Sequence, residues 1–88
     1  MQKIEFKVSI EMEKGLVAFY SSVVQTAMRY TSDMTIAIDG GNKIDLKSVL
    51  GLMSVALING RNAVIEIEGE DEEAASFDLG TIIDKYRK

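Results

Sequence analysis

The sequence predicts a two-layer α+β domain, and three observations carry that reading. Residues 3–10 alternate strictly, with Ile4, Phe6, Val8 and Ile10 on one face and Lys3, Glu5, Lys7 and Ser9 on the other. That is the period of a half-buried strand. From Leu16 the apolar spacing becomes helical, and Asp39-Gly40-Gly41-Asn42 supplies the residues that tolerate positive φ in a tight hairpin.

Taken in order, the first strand ends at Ile10, and Glu11 to Lys14 read as a polar connection closed by Gly15. A helix over Leu16 to Tyr30 presents Leu16, Tyr20, Val23, Val24, Ala27 and Met28 on its buried face. Met34, Ile36 and Ile38 point inward from a second strand, which pairs antiparallel with a short third carrying Ile44 and Leu46. A second helix starts at Val49 and runs to an Asn59-Gly60 stop. Its run Val49, Leu50, Leu52, Met53, Val55, Ala56, Leu57 and Ile58 is too apolar to pack wholly on a sheet, so some of it is expected to stay exposed. Ile65 and Ile67 face inward from a fourth strand over Val64 to Glu68. The last helix opens on Glu70 to Glu73, where the dipole favours negative charge, and buries Ala75, Leu79, Ile82 and Tyr86. Lys85, Arg87 and Lys88 suit its C-terminal end, whereas Gly80 inside it has no evident compensation. The order β-α-β-β-α-β-α, with four one-faced strands, gives a four-stranded antiparallel sheet with three helices on one side. With no proline or linker, residues 1–88 read as a single domain.

Composition narrows the function. The chain of 88 residues has no cysteine, which removes disulfides and thiolate metal sites. It has no histidine, which removes the usual general base, the usual neutral metal ligand and any phosphohistidine. Net charge is −4, and the ten basic residues form no stripe, so nucleic acid is not an expected partner. No apolar run is long enough to span a membrane, and a cytoplasmic location is expected. The Glu70–Glu73 cluster lacks the ligand spacing of a calcium loop, and no metal or cofactor is expected. Ser21, Ser22 and Ser54 have no histidine base, and no enzymatic site is expected.

Ser48 sits where the second helix begins. Its hydroxyl is placed to accept from a free amide of the first turn, and a phosphate there would be favoured by the same amides and dipole. Ser48 is therefore either a plain helix cap or a regulatory switch.

The segment Leu46-Lys47-Ser48-Val49-Leu50-Gly51-Leu52-Met53-Ser54, the match Val24-Gln25-Thr26-Ala27 and the element order together resemble the HPr family, small proteins of the bacterial sugar phosphotransferase system. The logic is closest to its regulatory, Crh-like paralogues that lack the active-site histidine. The resemblance implies an open-faced β-sandwich. It departs where the family does its phosphocarrier chemistry, in a loop reading Gly-Ile/Leu-His-Ala-Arg-Pro-Ala. Here Gly15-Leu16-Val17-Ala18-Phe19-Tyr20-Ser21 stands instead, and neither possible alignment restores the histidine, arginine or proline.

The resemblance further implies that an HPr kinase/phosphorylase-like enzyme phosphorylates Ser48. It implies that the phosphoprotein binds a LacI-type catabolite-control transcription factor through Val49, Leu50 and Met53, the phosphate meeting a basic group. Against this, the first-loop arginine that also helps bind that partner is missing here. Phe19 is a candidate for an aromatic docking patch at the altered loop, with Tyr20 expected to pack inward and Phe19 left between the two roles. An interaction domain that is never phosphorylated and works through the Gly15–Tyr20 loop is the alternative. A β-edge could support a dimer, and nothing in the sequence demands one.

Overall fold

In the computed structural model, residues 1–55 and 57–86 are described, and the side chain of Val49 lies outside the description. The elements are β1 (Gln2–Lys7), α1 (Ile10–Lys14), α2 (Leu16–Ala27), β2 (Asp33–Ile38), β3 (Ile44–Asp45), α3 (Val49–Met53), β4 (Asn62–Glu68) and α4 (Glu72–Lys85). The strands form one antiparallel sheet in the order β1-β4-β2-β3. Cross-strand neighbours Ile4, Ile65 and Ile36 share its inner face with Phe6, Ala63, Met34 and Ile67, and the helices cover that face. On the outer face Glu66 lies between Lys3 (3.6 Å) and Lys43 (2.7 Å). The Lys43 ammonium holds its carboxyl below the ordinary carboxylate range. This is the predicted two-layer α+β arrangement.

Three local readings change. The first strand stops at Lys7, and the expected connection is the helix α1, so the order is β-α-α-β-β-α-β-α. Ser9 is the reason: its hydroxyl accepts from the Met12 amide and donates to the Tyr86 carbonyl, capping α1 and tying it to the end of α4. Ile10, expected inward, is exposed, and Met12 is buried in its stead.

The buried stripe of α2 is also turned by one position. Phe19, Tyr20, Val23, Thr26 and Ala27 face the core, Leu16 and Val24 flank them, and Met28 is exposed. Helical hydrogen bonding gives way after Ala27 to tighter bonds from Arg29 and Tyr30 to Thr26 and Ala27.

Helix α3, expected to reach Ile58, ends at Met53. The Ser54 hydroxyl donates to the Gly51 carbonyl (2.6 Å), a local bond that competes with continuing the helix. Leu57 then enters the core, and Gly60, at φ 94°, belongs to the following turn, not to a helix cap. Ala56, Arg87 and Lys88, which the sequence reading also used, lie outside the described residues.

The hairpin between β2 and β3 forms as its residues dictate. Asp39 (φ 50°) and Gly40 (φ 73°) take the two positive dihedrals of a primed turn, closed by the Gly41 amide on the Ile38 carbonyl at 2.9 Å. In α4 the inward positions are Ala75, Leu79 and Ile83, with Ile82 and Tyr86 half-buried beside them.

Candidate functional site

Ser48 is extended (φ −102°, ψ 111°), as a residue entering a helix must be, and its Oγ accepts from the Gly51 amide at 3.0 Å. The hydroxyl is half-buried. In front of it, the Asp45 carboxylate accepts from the Lys47 amide (2.9 Å), which closes the turn out of β3. Gly51 lies directly above the hydroxyl: a Cβ there would stand 3.2 Å from Ser48 Oγ and 3.1 Å from Ile44 Cγ2.

The rest of α3 splits into one anchor and two free side chains. Leu52 is fully buried, while Leu50 is 86% exposed and Met53 59% exposed. Of the three apolar contacts that the family resemblance implies, Leu50 and Met53 are exposed, and the Val49 side chain lies outside the description. Met53 also borders a shallow groove of about 350 Å³ completed by Val17, Tyr20, Ser21, Val24 and Gln25 of α2.

Phe19 does not belong to this surface. It is 1% exposed, with its ring edge-on to Tyr86 at a centroid distance of 5.2 Å and tilted against Tyr20 at 6.2 Å. The docking role read for it is corrected on that ground, because the turned stripe of α2 points it into the core. Tyr20 packs inward as expected. The stretch Gly15–Tyr20 is no open loop either: Gly15 ends α1 and begins α2, and the residues that follow are helical. Val17, 71% exposed, is the large apolar side chain this stretch presents.

Val17 was not singled out from the sequence, yet a signal for it exists. No charged residue occurs between Gly15 and Met28 or between Ser48 and Gly60, and none of the 14 acidic residues lies in either helix of this face. A solvated helix surface normally carries charge opposite its buried stripe. Two neighbouring helices without any leave Val17, Leu50 and Met53 exposed on uncharged elements.

The description "PTS HPr component phosphorylation site" belongs to the family model that matches this chain over residues 4–85. The chain belongs to the HPr family. Among its HPr relatives, the HPr-like protein Crh of Bacillus subtilis (strain 168) is 36% identical over 81 residues, covering 91% of this chain and 94% of that protein. The HPr-like protein Crh of Halalkalibacterium halodurans is 37% identical over 83 residues, covering 93% and 98%. A solved histidine-containing phosphocarrier protein of Mycoplasma superposes with a TM-score of 0.85 over 97% of this chain and 96% of that one, at 21% identity, which speaks for the HPr fold. The family comprises phosphocarrier and regulatory proteins, not enzymes. Among the described residues no helix is long and apolar enough to cross a membrane.

Proposed function

We propose that this chain is a non-catalytic, Crh-like regulator in carbon catabolite control, one cytoplasmic domain over residues 1–88 switched by phosphorylation at Ser48. The observation that supports the reading is that Ser48 caps a short helix exposing Leu50 and Met53, with Met53 sharing a groove with Val17 of the neighbouring helix. With no histidine in the chain, there is no imidazole to accept a phosphoryl group from phosphoenolpyruvate chemistry. A serine phosphate is a different matter. It adds close to two negative charges at the head of a helix that itself carries none, with Lys47 and Asp45 as the charged residues of the turn before it.

The modifying enzyme is an HPr kinase/phosphorylase-like kinase, and the partner is a LacI-type catabolite-control transcription factor. Burial of Leu50 and Met53 supplies apolar free energy on the order of 1.5–3 kcal/mol each. A basic group on the partner meets the phosphate through charge-assisted bonds roughly twice as strong as neutral ones. Titration of such a regulator with phosphorylated and unmodified protein tests this. At least tenfold tighter binding of the phosphorylated form is expected, and equal affinities contradict it.

A second reading is favoured by the Val17 part of the same face: an interaction domain that docks there without modification. Under that reading the unmodified protein binds, and Ser48→Ala binds as well as wild type.

A further inference from the structure

Two side-chain hydrogen bonds tie the Ser48 segment to α2, one at each end. Before Ser48, the Lys47 ammonium donates to the carbonyl of Tyr30, in the turn that closes α2, at 2.7 Å. Beyond α3, the Tyr20 hydroxyl donates to the Val55 carbonyl at 2.5 Å. The two bonds lie 8 residues apart on one segment and 10 apart on the other, and in opposite chain directions, so α3 is spanned between them.

Alone, α3 has little to hold it in place. Five residues are far below the length at which a helix is stable by itself. Among the described residues its local ties include the Ser48 cap, the Ser54 hydroxyl bond and a few backbone bonds such as Leu52 N–H to the Ser48 carbonyl, with Leu52 as its buried anchor. The Lys47 partner is a neutral carbonyl, a bond that orients without neutralising. Tyr20 stands in the stretch where this chain departs from the sequence expected of the family's loop. Its ring is already buried beside Phe19, so the ring packs and the hydroxyl reaches across. Burial also pushes the phenol up to about 12, so the hydroxyl stays a donor at any physiological pH.

We propose that Tyr20 and Lys47 are positioning residues for the Ser48 segment, holding α3 against α2 at both ends so that Ser48, Leu50, Met53 and Val17 are presented as one rigid face. This rests on the reading of Ser48 given above. Loss of either bond leaves Ser48 and the apolar side chains chemically intact but frees their relative placement.

The test compares wild type with Tyr20→Phe, Lys47→Met and Lys47→Arg in two measurements. The first is amide hydrogen exchange at Leu52 and Val55, whose N–H groups bond within the segment, with Ile65 of the central strand as reference. Removing one hydrogen bond is expected to speed exchange at Leu52 and Val55 by about 3–10-fold relative to Ile65, with Lys47→Arg close to wild type. Equal acceleration at all three amides would reduce the two residues to general stability and overturn the proposal. The second is phosphorylation kinetics with HPr kinase/phosphorylase. KM should rise by about 3–10-fold in Tyr20→Phe and Lys47→Met with kcat little changed, and recover in Lys47→Arg. An unchanged KM in a variant whose segment has loosened also overturns it. Wild type that takes up no phosphate overturns the Ser48 reading instead, and the exchange result still decides whether the two bonds hold α3.

Discussion

The Ser48 hydroxyl oxygen accepts the Gly51 amide at 3.0 Å, and a Cβ on residue 51 would press to 3.2 Å from that same oxygen. The capping bond satisfies one of the free donors of the first turn of α3. Ser48→Ala is expected to cost about 1 kcal/mol, the usual value of a serine cap, and to lower the urea midpoint accordingly. An unchanged midpoint would show that the cap contributes nothing to stability.

Leu50 contributes nothing to the core, being 86% exposed, so changing it separates binding from folding. Leu50→Asp should leave thermal stability within about 0.5 kcal/mol of wild type, as surface changes usually do. The same variant should weaken docking of the phosphorylated protein on its regulator by tenfold or more, since it loses an apolar contact and adds a like charge beside the phosphate. Calorimetry on wild type and variant reads both effects.

Gly80 shows how a cost legible in the sequence is resolved by the structure. A Cβ there meets nothing within 4 Å, so no close approach demands the glycine. Gly80→Ala should stabilise the protein by about 0.5–1 kcal/mol, raising Tm by roughly 2–8 °C for a domain of this size. Gly69 is the contrary case. A Cβ there would lie 2.7 Å from Ser32 Cα, backbone that cannot step aside. Gly69→Ala should destabilise by about 1–3 kcal/mol, and thermal melts of the two alanine variants should move in opposite directions.

Asp71 binds the end of the α2–β2 connection to the start of α4. Its carboxylate accepts from the Thr31 amide (2.8 Å), the Ser32 amide (3.0 Å) and both hydroxyls. These donors, the Ser32 hydroxyl foremost, hold its carboxyl at about 2, below the usual 3.8. A depressed folded-state value means stabilisation that is complete above the unfolded value and lost as pH falls towards 2. Urea midpoints between pH 5 and pH 2 should therefore fall more steeply for wild type than for Asp71→Asn. Parallel slopes would contradict this account of the carboxylate.

The fold was legible because each strand states its inward face by strict alternation. Ile65 and Ile67, Met34 and Ile36 are buried where the period puts them. The errors arose where a side chain of one element answers to another. Ile10 fits the strand period, but Ser9 captures the Met12 amide and the Tyr86 carbonyl and begins α1, and no local pattern announces the distant partner. Phe19 and Met28 are both apolar but point to opposite sides of the helical wheel, and Phe19, packed against Tyr86, is the one that goes in. At the site, the Ser48 cap followed from local sequence, as did some exposure of the apolar run after it, while Leu50 itself was singled out only through the family resemblance. The bonds of Tyr20 to Val55 and Lys47 to Tyr30 join residues 35 and 17 apart, and only the assembled fold reveals them.

Intact mass after incubation with HPr kinase/phosphorylase, ATP and magnesium tests the central claim most directly, with Ser48→Ala and a histidine-containing HPr run in parallel. The account predicts one added phosphate on wild type and none on Ser48→Ala. No phosphate on wild type while the control HPr is modified, or equal modification of Ser48→Ala, would contradict it.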